Sequence, residues 1–350
     1  MHYSRLGITD LQVSRVCLGT MTWGKQNTQE EADAQIAYAL DQGINFMDTA
    51  EMYAVPPAPD TYGKTELIIG DWLSRNPEKR EKIILATKIA GNGIPWIRDG
   101  GDITGEAIKQ AVENSLRRLQ TDYIDLYQLH WPNRTSPHFS KHWPNQVRFS
   151  QVNTQRHSEQ MLEILQALDD CVRAGKIRHC GLSDDTPWGI NEYLRHADTH
   201  YLPRMVSIQN EFSLIHTKDW PYLIENCVRQ NVAFLPWSPI AGGALSGKYL
   251  NGARPAGSRW TLSQRNGLFR DNPLVEKAIA GYVAVAQKHH YTPSQLALAW
   301  VNQVDGVTST IIGATQLDQL KEDVAAFDMP LTEAALKDIH AVMRDYPMPF

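Results

Sequence analysis

The feature that most limits what this chain can fold into is a repeated alternation. Short runs of β character, rich in apolar residues, are separated by longer stretches of helical period. The runs are Val16–Leu18, Ile44–Met47, Ile83–Thr87, Ile124–Leu129, Ile177–Cys180, Val206–Ile208, Val232–Leu235 and Thr308–Ile312, eight in all. They are rich in apolar residues rather than strictly alternating, as parallel strands covered on both sides should be. Helices are expected between them over Gln29–Gln42, Thr65–Arg75, Thr104–Leu119, Glu159–Ala174, Trp188–His200 and Trp220–Gln230, with the pair Pro273–His289 and Pro293–Gln303 before the last run. In the first, Ala32, Ile36, Ala39 and Leu40 make one apolar face and Gly43 supplies the stop. Eight alternations without a linker favour an α/β fold of one domain over residues 1–350, a single (β/α)8 TIM barrel. A doubly wound sheet has the same local pattern, and periodicity does not separate the two. Tyr3–Val13 reads as a hairpin ahead of the first barrel strand, with Gly7 near its turn, and Leu331–Tyr346 as a final helix packed outside.

Composition narrows the function. The 350 residues are 42% hydrophobic and 21% charged, enough for one large core or two modest ones. The formal net charge is −5 and the basic residues are scattered, which argues against a nucleic-acid partner. No stretch approaches the roughly 18 apolar residues of a membrane span, and MHYSRLGITDLQVSRV lacks the apolar segment of a signal peptide. Cys17, Cys171, Cys180 and Cys227 stand far apart with no CxxC pair, so no metal site is expected and the thiols read as small buried hydrophobes. A soluble, reduced, cytoplasmic protein is the expectation; association into a homo-oligomer stays open.

Three connections are long: the proline-rich Met52–Gly63, the polar and aromatic Pro132–His157, and Leu250–Asn272 with its Gly, Pro and Arg. Each follows the C-terminal end of a strand run, and that is where a barrel carries its active site. The alternative is that they are variable solvated insertions.

Asp48, Lys88 and His130 stand at or just past three successive strand runs, and Tyr53 lies five residues beyond Asp48. Singly, each has a structural explanation: a turn cap, a lysine snorkelling from a strand end, a satisfied histidine. Together on one rim they make a proton-transfer machine. A lysine beside a tyrosine favours the phenolate, so the phenol's pKa is expected to fall towards working pH. The aspartate keeps the lysine charged and oriented, and the histidine can hold a substrate carbonyl.

The segment Gly43-Ile-Asn-Phe-Met-Asp-Thr-Ala-Glu-Met-Tyr53, followed by Gly63-Lys-Thr-Glu66 and Ile69-Gly70, resembles the signature of the aldo-keto reductase family. Ala86-Thr-Lys88, Asp122 to Pro132, Gly175-Lys-Ile-Arg, Gly181-Leu-Ser, Ile208-Gln-Asn, Trp237-Ser-Pro and Ile311-Ile-Gly-Ala-Thr continue the likeness in order over nearly the whole chain. The overall flavour, with the insertion Ala54–Tyr62, is similar to the bacterial Tas-like branch related to potassium-channel β subunits. The resemblance implies a barrel that binds NADPH in extended form without a Rossmann domain. No GxGxxG follows a strand, consistent with that. It implies Tyr53 as general acid, Lys88 and Asp48 as the groups that tune it, and His130 as the residue that positions a small-molecule carbonyl substrate. Hydride would pass from nicotinamide to the carbonyl carbon, with the protein supplying orientation and electrostatics.

The same resemblance implies the cofactor contacts. Gly19, Thr20, Met21 and Asp48 are among them, and Ser183 and Gln209 match residues that hold the nicotinamide amide. Asp184 stands where the family commonly has Asn, so that contact is expected to differ. Trp237 matches the aromatic stacked under the ring. Ser238, Pro239, Ile240, Gly242 and Leu245 match the loop around the pyrophosphate, and Lys248 and Arg259 match basic positions in the closing loop. Gly313, Ala314 and Thr315 precede a helix near Gln316 whose free N–H groups and dipole suit a phosphate. Gln319, Glu322 and Asp323 match adenine-side contacts, with Asp323 replacing a common Asn. Basic residues near the ribose favour the 2′-phosphate of NADPH over NADH.

Other readings compete. Gly242-Gly-Ala-Leu-Ser-Gly-Lys248 fits the first seven positions of a P-loop, but Tyr249 stands where magnesium needs Ser or Thr. Asp48 and Glu66 could pair as hydrolase carboxylates, though Glu66 sits inside a helix pattern. The main alternative is an NADPH-binding regulatory or scaffold protein with weak reductase activity, like channel β subunits. Trp23, Trp96 and Trp131, with Tyr53 and His130, could line an aromatic pocket under a lid formed by Val55–Pro59 and the Pro132–His157 loop, which suggests planar or bulky carbonyls.

Overall fold

A computed structural model describes residues 1–139, 141, 143–262 and 270–350. Residues 140, 142 and 263–269, parts of the second and third long connections, lie outside the described residues.

The chain opens with a two-stranded antiparallel ribbon, β1 (Tyr3–Arg5) and β2 (Gln12–Ser14), the expected hairpin. The barrel then runs β3 (Val16–Gly19), α1 (Gln29–Asp41), β4 (Phe46–Asp48), α2 (Lys64–Arg75), β5 (Ile84–Ile89), α3 (Gly105–Leu119), β6 (Ile124–Leu129) and α4 (Thr154–Arg173). It continues with β7 (Ile177–Ser183), α5 (Pro187–His200), β8 (Met205–Glu211), α6 (Tyr222–Gln230) and β9 (Ala233–Trp237). After the short α7 (Arg259–Leu262) come α8 (Pro273–Lys288), α9 (Pro293–Gln303), β10 (Thr310–Ile312), α10 (Leu317–Ala325) and the outer α11 (Glu333–Asp345).

The eight barrel strands are parallel, in the order β10-β3-β4-β5-β6-β7-β8-β9. The two ends of that sheet meet at a bridge between Phe234 and Val307, and the Thr308 N–H donates to the Phe234 carbonyl at 2.9 Å. Strands neighbouring in sequence are neighbours in space all the way round, with no reversal of order. This is the (β/α)8 barrel and not a doubly wound sheet.

Local signals explain the helices. Thr28 and Glu31 form a reciprocal capping box at α1, and the Thr104, Thr186, Thr292 and Thr332 hydroxyls each accept an N–H of the following first turn. Helix α4 begins five residues before the expected Glu159, because the Asn153 side chain caps it at the Arg156 N–H. Its first turn is polar, so apolar periodicity missed it.

Two apolar clusters hold the fold. Inside the barrel, Cys17, Phe46, Ile84, Ala86, Leu126, Ala233 and Leu235 pack on Leu6, Leu11 and Val13 of the hairpin region, which closes the N-terminal end. The larger cluster lies between the strands and the helices. All four cysteines are buried and unbridged, and burial pushes each thiol pKa up. Among the described residues, no helix is long and apolar enough to cross a membrane, and no group of three His, Cys, Asp or Glu is placed to hold a metal ion.

Candidate active site

Side chains alternate along a strand, so a residue two positions beyond an inward-facing one also faces inward. Phe46, Ala86 and Leu126 belong to the inner cluster. Asp48, Lys88 and Gln128 follow each by two and form a polar layer nearer the C-terminal mouth. Strand register sets Lys88 beside Gln128, and Ser183 beside Gln209.

Lys88 is fully buried. Its Nζ donates to Asp48 Oδ2 at 2.6 Å and to the Thr49 carbonyl at 2.7 Å, and lies 5.0 Å from the centre of the Tyr53 ring. Burial opposes the Lys88 charge, but the Asp48 carboxylate and then the Tyr53 phenol outweigh it and hold the ammonium above its ordinary pKa. Asp48 Oδ1 accepts from Gln128 Nε2 at 3.0 Å and Gln209 Nε2 at 2.9 Å, so both carboxylate oxygens are engaged.

Tyr53 corrects one sequence expectation. Its pKa is raised, not lowered: burial dominates, and the Lys88 charge and hydrogen bond only partly oppose it. The phenol therefore keeps its proton. His130 meets the Tyr53 ring edge-on at 5.7 Å between centroids. Burial, then Lys88, pushes its pKa well below the ordinary range, so the imidazole is neutral.

The loop carrying Tyr53 is fastened by residues the sequence reading did not single out. Glu51 is fully buried. Its backbone N–H donates to the Lys88 carbonyl at 3.1 Å, and its Oε1 accepts the Ala90 N–H at 2.6 Å. Arg98 grips both carboxylate oxygens from Nη1 (3.1 Å) and Nη2 (2.7 Å), and Tyr62 donates its hydroxyl at 2.9 Å. Arg98 Nη2 also donates to the Ala90 carbonyl at 2.8 Å. Gln128 was missed as well, though an amide two residues before His130, in the mostly apolar run Ile124–Leu129, was a visible signal.

Of the three tryptophans expected to line a pocket, Trp23 is a correction. It is fully buried in the outer cluster, its indole N–H on Gln35 Oε1 at 3.2 Å and its carbonyl held by the Thr65 hydroxyl at 2.7 Å. Trp131 lies beside His130, 5.0 Å between ring centroids, and donates to the Asn92 carbonyl at 3.2 Å. Gly91 makes that placement possible, since a Cβ there would lie 2.1 Å from the indole nitrogen. Phe139 stands edge-on to Trp131 at 6.2 Å, and Trp96 is 41% exposed.

The positions matched to cofactor contacts follow one rim from β3 to α10. Gly19 ends β3, and Thr20 binds the Asp48 carbonyl through its N–H and hydroxyl. The Met21 carbonyl accepts the Val55 N–H, which ties the Tyr53 loop to this segment. Ser183 ends β7 and Gln209 stands two residues before the end of β8, both buried. Asp184 is buried with φ +50°, and burial, then Glu211, pushes its carboxyl well up. Trp237 is half-buried over the inner cluster.

After Pro239 and Ile240 the chain makes a short helical turn in which the Ser238 hydroxyl accepts the Gly242 N–H at 2.8 Å. Leu245 is buried in the outer cluster. Arg259 on α7 is pushed down to about 10 by burial and then Arg270, while Tyr53 opposes that shift. Near Gly313, the Thr315 carbonyl accepts from Asn27 Nδ2 at 2.8 Å, and its hydroxyl donates to Gln319 Oε1 at 3.2 Å. Among the described residues, no side chain caps the α10 N-terminus. Glu322 accepts the Thr292 hydroxyl at 2.6 Å. Asp323 is raised to about 7 by burial and then Glu322, with Lys248 opposing.

Residues 15–344 match the Aldo/keto reductase family. The chain is similar to the protein tas of Escherichia coli (strain K12), 43% identical over 100% of this chain and 99% of that protein. It is 32% identical to the uncharacterized oxidoreductase YrpG of Bacillus subtilis (strain 168), over 98% and 96% of the two chains. It is 29% identical to a probable voltage-gated potassium channel subunit beta of Arabidopsis thaliana, over 99% and 98%.

Proposed function

Because this chain belongs to the aldo/keto reductase family, in its Tas-like branch, we propose that it reduces aldehyde or ketone carbonyls to alcohols with NADPH, using Tyr53 as the general acid. Membership implies an oxidoreductase that works with NAD(P)H. The observation that carries the finer reading is the buried Lys88 ammonium, clamped by Asp48 at 2.6 Å and set 5.0 Å from the Tyr53 ring, with neutral His130 at that ring's edge.

The residues present fit a phosphorylated dinucleotide. An uncapped α10 N-terminus and the Lys248 ammonium offer donors and positive charge for phosphate at one end. Trp237, Ser183 and Gln209 offer a flat ring and amide partners at the other. Bound there, NADPH would supply the hydride that the carbonyl carbon receives.

The chain's own residues do the rest. Neutral His130 donates an N–H to the carbonyl oxygen and orients it. Tyr53 gives its proton to that oxygen as the alcohol forms. The charge left on the phenolate is met by Lys88, whose ammonium Asp48 keeps in place. A positioned acid of this kind contributes about 10²–10⁴-fold. A raised phenol pKa suits this direction, since the acid must be protonated before transfer. Trp131 and Trp96 are the pocket residues of the proposal, for planar or bulky carbonyls.

Tyr53→Phe tests the reading. Carbonyl reduction should fall by at least about 10²-fold while NADPH binding stays within a few-fold of wild type. Turnover at the wild-type rate would remove Tyr53 from the mechanism. A regulatory or scaffold role with weak turnover is the second reading, favoured by the likeness to the Arabidopsis channel subunit. A screen of aldehydes, ketones and quinones separates the two: uniformly slow turnover with a stable protein partner would favour it.

A further inference from the structure

Gln128 lies in β6, paired in register with Lys88 on one side and Gly181 on the other. It is fully buried. A Cβ at position 181 would stand 3.2 Å from Gln128 Cγ and 2.3 Å from the Ser207 hydroxyl, so glycine there lets the amide lie across the barrel mouth. Gln128 Nε2 donates to Asp48 Oδ1 at 3.0 Å, and its Oε1 accepts from Gln209 Nε2 at 3.2 Å. Gln209 Nε2 also donates to Asp48 Oδ1 at 2.9 Å.

The orientation of both amides follows from donor counting. A primary amide has two N–H donors and one carbonyl acceptor, and an ionised carboxylate only accepts. The nitrogens of Gln128 and Gln209 must therefore face Asp48. Both donors of Gln209 are then used, one on Asp48 and one on Gln128. Its Oε1 takes no hydrogen bond among the described residues. Turning the Gln209 amide over would set its oxygen against the Asp48 carboxylate and the Gln128 carbonyl, two repulsive contacts.

We propose that Gln128 is a positioning residue: with Asp48 it fixes the flip of Gln209 so that only a carbonyl acceptor faces the cleft, which selects a cofactor ring bearing a carboxamide NH2. This rests on the reductase reading above, in which Gln209 meets the nicotinamide. The same amide triangle joins that seat to the Asp48–Lys88 pair. A ligand that engages Gln209 therefore bears on the group that supports Tyr53.

The test compares NADP+ with 3-acetylpyridine adenine dinucleotide phosphate, in which an acetyl group replaces the carboxamide and no NH2 remains. Dissociation constants are read by tryptophan fluorescence on the full chain. Wild type should prefer NADP+ by about tenfold, the scale of one hydrogen bond. In Gln128→Met, which keeps the length and removes the amide, the preference should shrink to about twofold, with the loss in NADP+ binding and the analogue unchanged. Gln128→Leu is the second variant should the first not fold. A folded variant that keeps the full preference overturns the proposal, as does a wild-type protein that binds both dinucleotides equally. A wild-type protein that binds neither removes the cofactor reading itself, a distinguishable result.

Discussion

The backbone N–H of Glu51 donates to the carbonyl of Lys88 at 3.1 Å, which ties the loop bearing Tyr53 to the strand bearing its ammonium neighbour. The Glu51 carboxylate repeats the tie at Ala90, and Arg98 closes it from outside. The spacing between acid and ammonium is thus set by a residue that need touch neither reacting atom.

Arg98→Ala should show what that tie does. The fully buried Glu51 carboxylate would lose both guanidinium contacts and keep Ala90 and Tyr62. Breaking such a pair costs about 3 kcal/mol, since Arg98 is itself partly exposed. Urea denaturation should register that loss. The catalytic rate should fall roughly tenfold or more through a misplaced Tyr53, with cofactor affinity nearly constant. A stability loss with unchanged turnover would make the tie purely structural.

The pH profile of reduction distinguishes a raised phenol from a lowered one. Burial raises the Tyr53 pKa and Asp48 holds Lys88 protonated. The active form is the protonated phenol, so activity is present below its folded pKa and lost only above it. Turnover should be flat through neutral pH and begin to fall only in the strongly alkaline range. His130, pushed well down, should give no acidic limb near pH 6.5. An alkaline limb centred between pH 6 and 8 would contradict this assignment.

Asp323 should make stability depend on pH with a defined sign. Its folded pKa is raised to about 7, above its unfolded value. A carboxyl raised on folding imposes no cost below the unfolded pKa. The cost grows as pH rises and levels off once the folded group ionises. Asp323→Asn should therefore match wild type near pH 4 and exceed it above pH 7 by on the order of 2–4 kcal/mol. Guanidinium midpoints at the two pH values measure it. A difference that does not change with pH would place the Asp323 pKa near normal.

Trp131→Ala tests the aromatic rim beside His130. Planar aromatic carbonyls should lose about tenfold or more in kcat/KM, the scale of a buried ring contact, while a short aliphatic aldehyde should lose little. Equal losses for both would assign Trp131 to holding His130 rather than to the substrate.

Much of the architecture was legible because each element carries its own signal. Eight runs rich in apolar residues became the eight barrel strands, and the helical-period stretches between them became helices. Closure was not legible, because it lives in the Phe234–Val307 bridge, a contact between sequence-distant strands. Asp48, Lys88 and His130 stood out as polar residues at strand ends. Arg98 did not. It reaches Glu51 from 47 positions away out of a turn with φ +48° and +54° at residues 98 and 99, which no periodicity encodes. Trp23 misled because it follows β3 so closely, while the Thr65 hydroxyl draws its backbone beneath the helices. The sign of the Tyr53 shift required knowing how completely the phenol is enclosed.

The four enclosed thiols carry a practical corollary. Each sulfur is shielded from reagents and held as the unreactive thiol while the native packing lasts. Cys17 sits within the barrel, whereas Cys171, Cys180 and Cys227 sit beneath the helical jacket. Alkylation of each can proceed only as fast as its own layer breathes, so these four sites form an internal clock for the order in which jacket and staves come apart.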